Sequence, residues 1–177
     1  MNLPEQDARE LAVARTPIGE LRLVATSRGL LQVLFPSRSH PRSKPRTRLL
    51  TGDDAKAREH LASAMHQLEE YFSGRRRSFD LALDIRGGEY QLRVWRALSE
   101  IPYGETRTYG GLARLLGNAQ SARAVGLGCA TNPLPIIIPC HRVLSSTGSL
   151  QGFGGGLWRK RALLHLEQGQ EVLSLAE

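Results

Sequence analysis

Residues Pro135 to Val143 read PIIIPCHRV, an apolar run that demands burial and delivers Cys140 between a proline and His141. Cysteine is the most nucleophilic side chain as its thiolate, so a neighbouring proton acceptor is what its activation requires. Successive side chains of an extended chain face opposite ways, so Cys140 and His141 meet only if the chain turns there or a water bridges them. A lone buried cysteine is more often inert packing and a lone histidine a structural one. Their adjacency, after a proline and before Arg142, favours chemistry over packing. A second feature is the segment ARAVGLGCA, in which Ala122, Ala124, Gly126, Gly128 and Ala130 leave almost no side-chain bulk around one long cation, Arg123. Such a helix can approach a backbone or a duplex closely. Close helix packing is the competing explanation, but it leaves Arg123 without a reason, since a cation at a helix N-terminus opposes the macrodipole. A third is Gly152, Gly154, Gly155 and Gly156 around Phe153, which permits positive φ and close backbone approach to a flat ligand; a flexible linker is the alternative.

These groups need elements to hold them. Leu11 to Arg15, Glu20 to Thr26 and Leu30 to Phe35 are short apolar runs separated by Pro17-Ile18-Gly19 and Ser27-Arg28-Gly29, the turn chemistry of an antiparallel meander. The following SRSHPRSKPRTR carries Arg38, Arg42, Lys44, Arg46 and Arg48 with two prolines that exclude a helix or central strand. It reads as a solvated loop, with an auxiliary phosphate-contacting arm as the alternative. From Asp53 or Asp54, Leu61, Met65, Leu68 and Phe72 fall at helical spacing as far as Gly74. Phe79, Leu81, Leu83 and Ile85 then alternate with polar or small residues as a half-buried strand, and Gly87-Gly88 reads as a linker. Tyr90, Val94, Leu98 and Ile101 repeat at helical spacing up to Pro102 and Gly104. Thr108 can cap a short helix ending at Gly117, and Ser121 a second, ending before Asn132-Pro133. Two short helices joined by a tight Gly-Asn turn suggest a helix-turn-helix, a weak signal alone because such pairs are common packing units. The expected fold class is α+β: a small N-terminal antiparallel sheet with a helix over residues 1–86, then a mainly helical domain with a helix-turn-helix over residues 87–177.

The whole chain, 177 residues with 24 Lys+Arg against 17 Asp+Glu, carries a formal charge of +7. That excess favours a polyanionic partner without establishing one. No apolar run approaches the roughly 18 residues of a membrane span. MNLPEQDARE lacks the apolar core of a secretory signal and the basic, acid-poor character of a transit peptide, so a cytoplasmic location is expected. Two cysteines, Cys129 and Cys140, make neither a disulfide framework nor a thiolate zinc site.

The sequence resembles the O6-alkylguanine-DNA alkyltransferase family. The resemblance rests on PCHRV (Pro139 to Val143), on Asn132-Pro133 seven residues before it, on IPYGETRTY (Ile101 to Tyr109), on ARAVG (Ala122 to Gly126), on GFGGGL (Gly152 to Leu157) and on LLHLE (Leu163 to Glu167). These occur in family order and at family spacing, and TPIGELRLVATSRGL resembles the family's first domain. The resemblance implies direct repair of DNA: irreversible transfer of an alkyl group from O6-alkylguanine, and more weakly O4-alkylthymine, to Cys140, one turnover per protein. It implies that His141, through a water, and Glu167 drain the thiol proton, and that Asn132 ties the recognition helix to the active-site segment. Tyr109 would donate to the guanine ring nitrogen and help turn the nucleotide out. Arg123 would fill the space left in the stack, Val143 and Cys140 would offer carbonyls to the exocyclic amine, and the Gly154 amide would face O6. Flipping is required because O6 in a stacked duplex cannot reach a buried thiolate. Phe153 and Gly155 complete the expected substrate wall, and Ala122, Ala124 and Gly126 the surface for the DNA minor groove, where sequence readout is degenerate. The implied partner is double-stranded DNA with little sequence specificity, bound by a protein monomeric in solution; cooperative loading on DNA stays open.

The chain also departs from the family's pattern. Phe153 stands where the family often has tyrosine, so the hydroxyl is lost and the apolar wall kept. Some members bind zinc in the N-terminal domain; here that domain has no cysteine, and His40, His60 and His66 lack ligand spacing, so neither metal nor cofactor is expected. The cysteine-rich methylphosphotriester module of bifunctional members is not seen. A lesion-binding relative without the acceptor cysteine, a cysteine hydrolase and a helix-turn-helix regulator are the competing functions. Cys140 opposes the first, multiple turnover would mark the second, and sequence-specific major-groove readout the third.

Overall fold

The computed structural model describes residues 10–35, 54–117 and 122–169. Asp53, Ser121, the Asn118 side of the expected tight turn and the basic stretch with Arg38, Arg42, Lys44, Arg46 and Arg48 lie outside the described residues. The chain divides into two compact units, Met1–Ile85 and Arg86–Glu177.

In the first unit, β1 (Glu10–Thr16), β2 (Gly19–Thr26) and β3 (Gly29–Leu34) form the expected antiparallel meander in the order β1-β2-β3. Thr16 pairs with Gly19 and Thr26 with Gly29, leaving Pro17-Ile18 and Ser27-Arg28 as the turns. Helix α1 (Ala55–Phe72) packs across all three strands, capped by Asp54, whose side chain accepts from the Ala57 amide at 3.1 Å. Its buried stripe is Ala57, Leu61, Ala64, Leu68 and Tyr71, so the expected stripe is rotated: Met65 is exposed and Phe72 only half-buried. Small Ala57 and Ala64, which an apolar-bulk count overlooks, let the helix lie close to the sheet. The expected strand over residues 79–85 does not form. Gln67 of α1 binds Asp80 through both of its amide atoms (2.7 and 2.8 Å), taking backbone groups that a ladder would need. Only a local parallel bridge of Leu30 with Leu83 remains, where Gly29 lets the chain approach; a Cβ there would lie 2.4 Å from the Ala82 carbonyl oxygen.

The second unit is mostly helical. Helix α2 (Glu89–Ser99) buries Val94, Trp95 and Leu98, with Ile101 buried just beyond its end. Two-residue strand β4 (Arg107–Thr108) leads into α3 (Tyr109–Leu115), where the Thr108 hydroxyl accepts from the Gly111 amide at 3.0 Å, the expected cap. Helix α4 (Ala122–Ala130) packs against both α3 and α2. After it the chain runs through a buried segment to β5 (Val143–Leu144), which pairs parallel with β4, and closes with α5 (Leu157–Glu167). The fold is thus a small antiparallel sheet with a helix, followed by a mainly helical unit, as the sequence patterning leads one to expect.

The small residues of α4 divide between two tasks. Gly128 is buried against α2: a Cβ there would lie 2.7 Å from Val94 Cγ1, and the Trp95 indole donates to the Gly128 carbonyl at 2.9 Å. Gly126 has open space where its Cβ would be. Helix packing therefore accounts for Gly128, and leaves Gly126 for an outward-facing purpose.

Candidate active site

Cys140 is delivered by a strained turn, not by an extended strand. Ile138 N–H donates back to the Leu134 carbonyl at 2.8 Å, and between them Ile136 sits at φ +77°, a region that β-branched residues avoid. Ile136 and Ile138 are almost completely buried, and this burial holds the unfavourable backbone in place. Asn132 braces the turn: its Oδ1 accepts from the Leu134 amide at 3.0 Å, its Nδ2 donates to the Ile138 carbonyl at 2.8 Å, and its backbone N–H reaches the Cys129 carbonyl at the end of α4. Cys140 to Arg142 then make one 3₁₀ turn, so the cysteine and histidine are not forced to opposite faces. The thiol is buried, 5% exposed.

Behind it lies a buried charge cluster. Glu167, from the last turn of α5, accepts from His141 Nε2 at 2.8 Å, from Arg142 Nε and Nη2 at 2.8 Å each, and from the Gly104 amide at 3.1 Å. Arg142 Nη1 also donates to the Ile101 carbonyl at 2.6 Å. Gly104 has φ +79°, and a Cβ there would lie 3.1 Å from the Glu167 carbonyl oxygen, so glycine is what lets the IPYG turn close on this carboxylate. Burial would raise the Glu167 carboxyl, but the hydrogen bonds and charges of His141 and Arg142 hold it well below the usual carboxylate range. It is therefore ionised and acceptor-only, which places the imidazole proton on His141 Nε2. Nδ1 is then a lone-pair acceptor, buried and without a hydrogen-bond partner among the described residues. Burial pushes the His141 pKa down against the opposing pull of Glu167, keeping the ring neutral and able to accept a proton.

A cleft of about 800 Å³ opens in the same unit, lined by Tyr109, Arg123, Gly126, Gln151, Phe153 and Gly154 among others. That volume lies in the range of small-molecule sites, about 300–1,000 Å³. Ala122 also lines it, whereas Ala124, Val143, Gly155, Asn132 and Cys140 do not. Arg123 is exposed at the start of α4. Gly155 is buried and accepts from Arg159 at 2.7 Å, so its backbone belongs to the footing of α5. Tyr109 lines the cleft and donates to the Gln151 carbonyl at 3.3 Å. Its phenol is pushed up to about 12 by burial and by the thiols of Cys129 and Cys140, which keeps it a neutral donor.

Three residues of this region escape a reading by motif. Arg142 neutralises Glu167, Gln151 offers its carbonyl to Tyr109, and Lys160 of α5, fully buried, donates to that same carbonyl at 2.6 Å. The signal for Lys160 is its register: Lys160, Leu163, Leu164 and Glu167 fall at i, i+3, i+4 and i+7, the buried stripe of α5. Burial pushes the Cys140 thiol up, while the Asn132 side chain and then the Lys160 charge oppose that rise.

The family model described as 6-O-methylguanine DNA methyltransferase, DNA binding domain, matches residues 89–169, and that described as its ribonuclease-like domain matches residues 11–85. A methylated-DNA–protein-cysteine methyltransferase of Mycobacterium bovis is 44% identical over 166 residues, 90% of this chain and 93% of the relative. One from Methanosarcina acetivorans is 43% identical over 157 residues, 88% of this chain and 96% of the relative. The crystal structure of Mycobacterium tuberculosis OGT in complex with DNA is similar at 40% identity with a TM-score of 0.76, covering 93% of this chain and 98% of the other. With both family models matched in order along the chain and relatives similar over nearly its full length, this protein belongs to the 6-O-methylguanine DNA methyltransferase family.

Proposed function

We propose that the protein repairs DNA by direct reversal, moving the alkyl group of O6-alkylguanine irreversibly onto Cys140. The observation that carries this reading is a cysteine set on a braced turn, next to a neutral histidine whose far nitrogen is fixed by a buried, ionised carboxylate. The cleft of α3, α4 and the Gln151–Gly154 segment receives the flipped nucleotide. Duplex DNA lies along the outward face of α4, where Ala122 and Gly126, one turn apart, allow the minor groove to come close and Arg123 enters the stack, with Ala124 turned away from that face. Tyr109, kept neutral, donates to the purine ring nitrogen; Phe153 supplies the apolar wall, the Gly154 amide faces O6, and the Val143 and Cys140 carbonyls receive the exocyclic amine.

The proton of Cys140 passes through a water to His141 Nδ1, and Glu167 stabilises the imidazolium that forms. The thiolate attacks the alkyl carbon: the S–C bond forms, the O6–C bond breaks, and the electron pair left on the purine is matched by a proton at the ring nitrogen. Because the thioether is stable, each protein acts once. O4-alkylthymine is a weaker substrate of the same site. Binding has little sequence preference and the protein acts as a monomer where DNA is found, in the cytoplasm. Among the described residues no helix is long and apolar enough to cross a membrane.

Incubation with a duplex containing O6-methylguanine tests the reading. Repaired guanine should rise linearly with added protein and stop at one per molecule, and Cys140→Ser should bind the duplex yet repair none. Catalytic turnover, or repair by Cys140→Ser, would contradict the assignment.

A further inference from the structure

We propose that Arg114 grips a backbone phosphate flanking the extruded nucleotide, a contact that holds the strand against the cleft while the base is inside. The inference rests on the reading that a nucleotide turns out of duplex DNA into this cleft. A base and its sugar can enter a space of about 800 Å³, but the two phosphates that join the nucleotide to its strand stay at the mouth and keep their charge. Among the described residues, those that line the cleft include one cation, Arg123, and no carboxylate. Arg123, once inserted between bases, is withdrawn from the mouth. Tyr109, Ser145, Ser146 and Gln151 can offer hydrogen bonds there, but no charge.

Arg114 stands where that charge is needed. It is exposed in the last turn of α3, and its Nη1 lies 3.9 Å from the position that a Cβ on Gly110, one turn back, would take. Gly110 lines the cleft beside Tyr109, so the guanidinium rests at the rim. Helical side chains lean toward the N-terminus of their helix, and glycine at 110 offers no side chain to lift Arg114 off that path. Helix stability does not explain this pose. A cation in a last turn is favoured beside the terminal carbonyls, whereas this guanidinium extends away from them. Ion pairing does not explain it either, since among the described residues no carboxylate pairs with Arg114. Other cations of the unit are committed: Arg93 donates to the Leu116 carbonyl at 2.8 Å, Arg107 pairs with Glu105 at 3.2 Å, and Arg159 stacks on Trp158 at 4.3 Å. An arginine fork meets a phosphate through paired N–H groups, so a single side chain can neutralise the phosphate and fix its orientation. Arg114 is thus a positioning residue, acting on the DNA backbone and not on the alkyl group or Cys140.

The test is a double-mutant cycle between protein and DNA. Single-turnover repair at limiting protein is timed on a duplex carrying O6-methylguanine and on two others in which an uncharged methylphosphonate replaces the phosphate immediately 5′ or 3′ of the lesion. The full chain is compared with Arg114→Gln and Arg114→Lys. Arg114→Gln should slow repair of the all-phosphate duplex about tenfold, the worth of one charge-assisted hydrogen bond, and Arg114→Lys, which keeps the charge, should recover most of the loss. One of the two methylphosphonate duplexes should be repaired more slowly by the unaltered protein, and on that duplex Arg114→Gln should add less than about twofold. The salt slope of duplex binding should also fall in magnitude by about 0.9 in Arg114→Gln. Additive losses at both phosphates would overturn the proposal, because a structural role for Arg114 would slow every duplex alike. So would an unchanged salt slope. The methyl found on Cys140 at completion reads the proposed function separately: a full end point with additive losses overturns only the role of Arg114. A Cys140 that stays unmethylated while the salt slope falls as expected contradicts the transfer reading and leaves the phosphate contact standing.

Discussion

The Glu167 carboxylate accepts from four N–H groups while 6% exposed, so removing its charge strands a buried guanidinium. Breaking a buried pair from one side costs about 3–5 kcal/mol. Glu167→Gln should lower unfolding stability at neutral pH by that amount, read by tryptophan fluorescence; Trp95 and Trp158, the chain's two tryptophans, both belong to the second unit. A loss below about 1 kcal/mol would show that the pair is worth no more than a surface one. The sign of the acid dependence follows. The folded-state value of Glu167 is depressed, so its stabilisation is fully present above the unfolded value of about 4.3 and fades as pH falls toward the lower folded value. Glu167→Gln should remove that part of the acid slope. Arg123 belongs to this scale too, because it is proposed to act on the stack and not on the reacting atoms. Arg123→Ala should slow repair of methylated duplex by tenfold or more, each 1.4 kcal/mol of flipping cost being about tenfold in population. Reaction with a free O6-alkylated guanine base should stay within about threefold of wild type, since no flipping is needed. Equal slowing would assign Arg123 to fold or chemistry. Cys140, His141 and Arg123 stand out from composition alone because each is anomalous where it sits. Lys160 and Arg142 do not, since a cation in an amphipathic segment reads as solvated until the tertiary structure buries it.

Helix α4 shows how one element serves core and surface through residues two positions apart. Gly128→Ala would drive a Cβ to 2.7 Å from Val94 Cγ1 and 3.0 Å from its Cβ, atoms of a branched side chain that cannot swing away. A loss of about 1–3 kcal/mol is expected in the same fluorescence assay. Gly126→Ala meets open space and should gain up to about 1 kcal/mol of helix stability while weakening duplex binding. Matching effects of the two substitutions on stability would contradict the division. Secondary structure with strong turn chemistry was legible here: the meander between its two turns, and α3 from its Thr108 cap. The segment 79–85 was not, because alternation records which side chains seek burial and not which partner satisfies the backbone; Gln67 took that part. Nor does sequence disclose that Ile136 lies at positive φ, since an apolar run of three consecutive isoleucines is compatible with strand or turn.

At the scale of the whole molecule, a formal charge of +7 predicts affinity for duplex that falls steeply with salt and depends weakly on sequence. The logarithm of the binding constant should decline with that of salt at about −0.9 per released counterion. Neutralising Arg42 and Arg46 should leave this slope unchanged if their segment is solvated, while a reduction of about two would make it a contact arm. Charge alone leaves several functions open; what narrows them is the coincidence of a buried cysteine beside the His141–Glu167 pair, the slim helix and the matched family. The most direct measurement is peptide mass spectrometry of the protein after exposure to duplex DNA carrying O6-methylguanine. The account predicts one added methyl per molecule, on Cys140, with the guanine restored in equal amount. No added mass, a methyl on Cys129 instead, or guanine restored in excess of protein would contradict it.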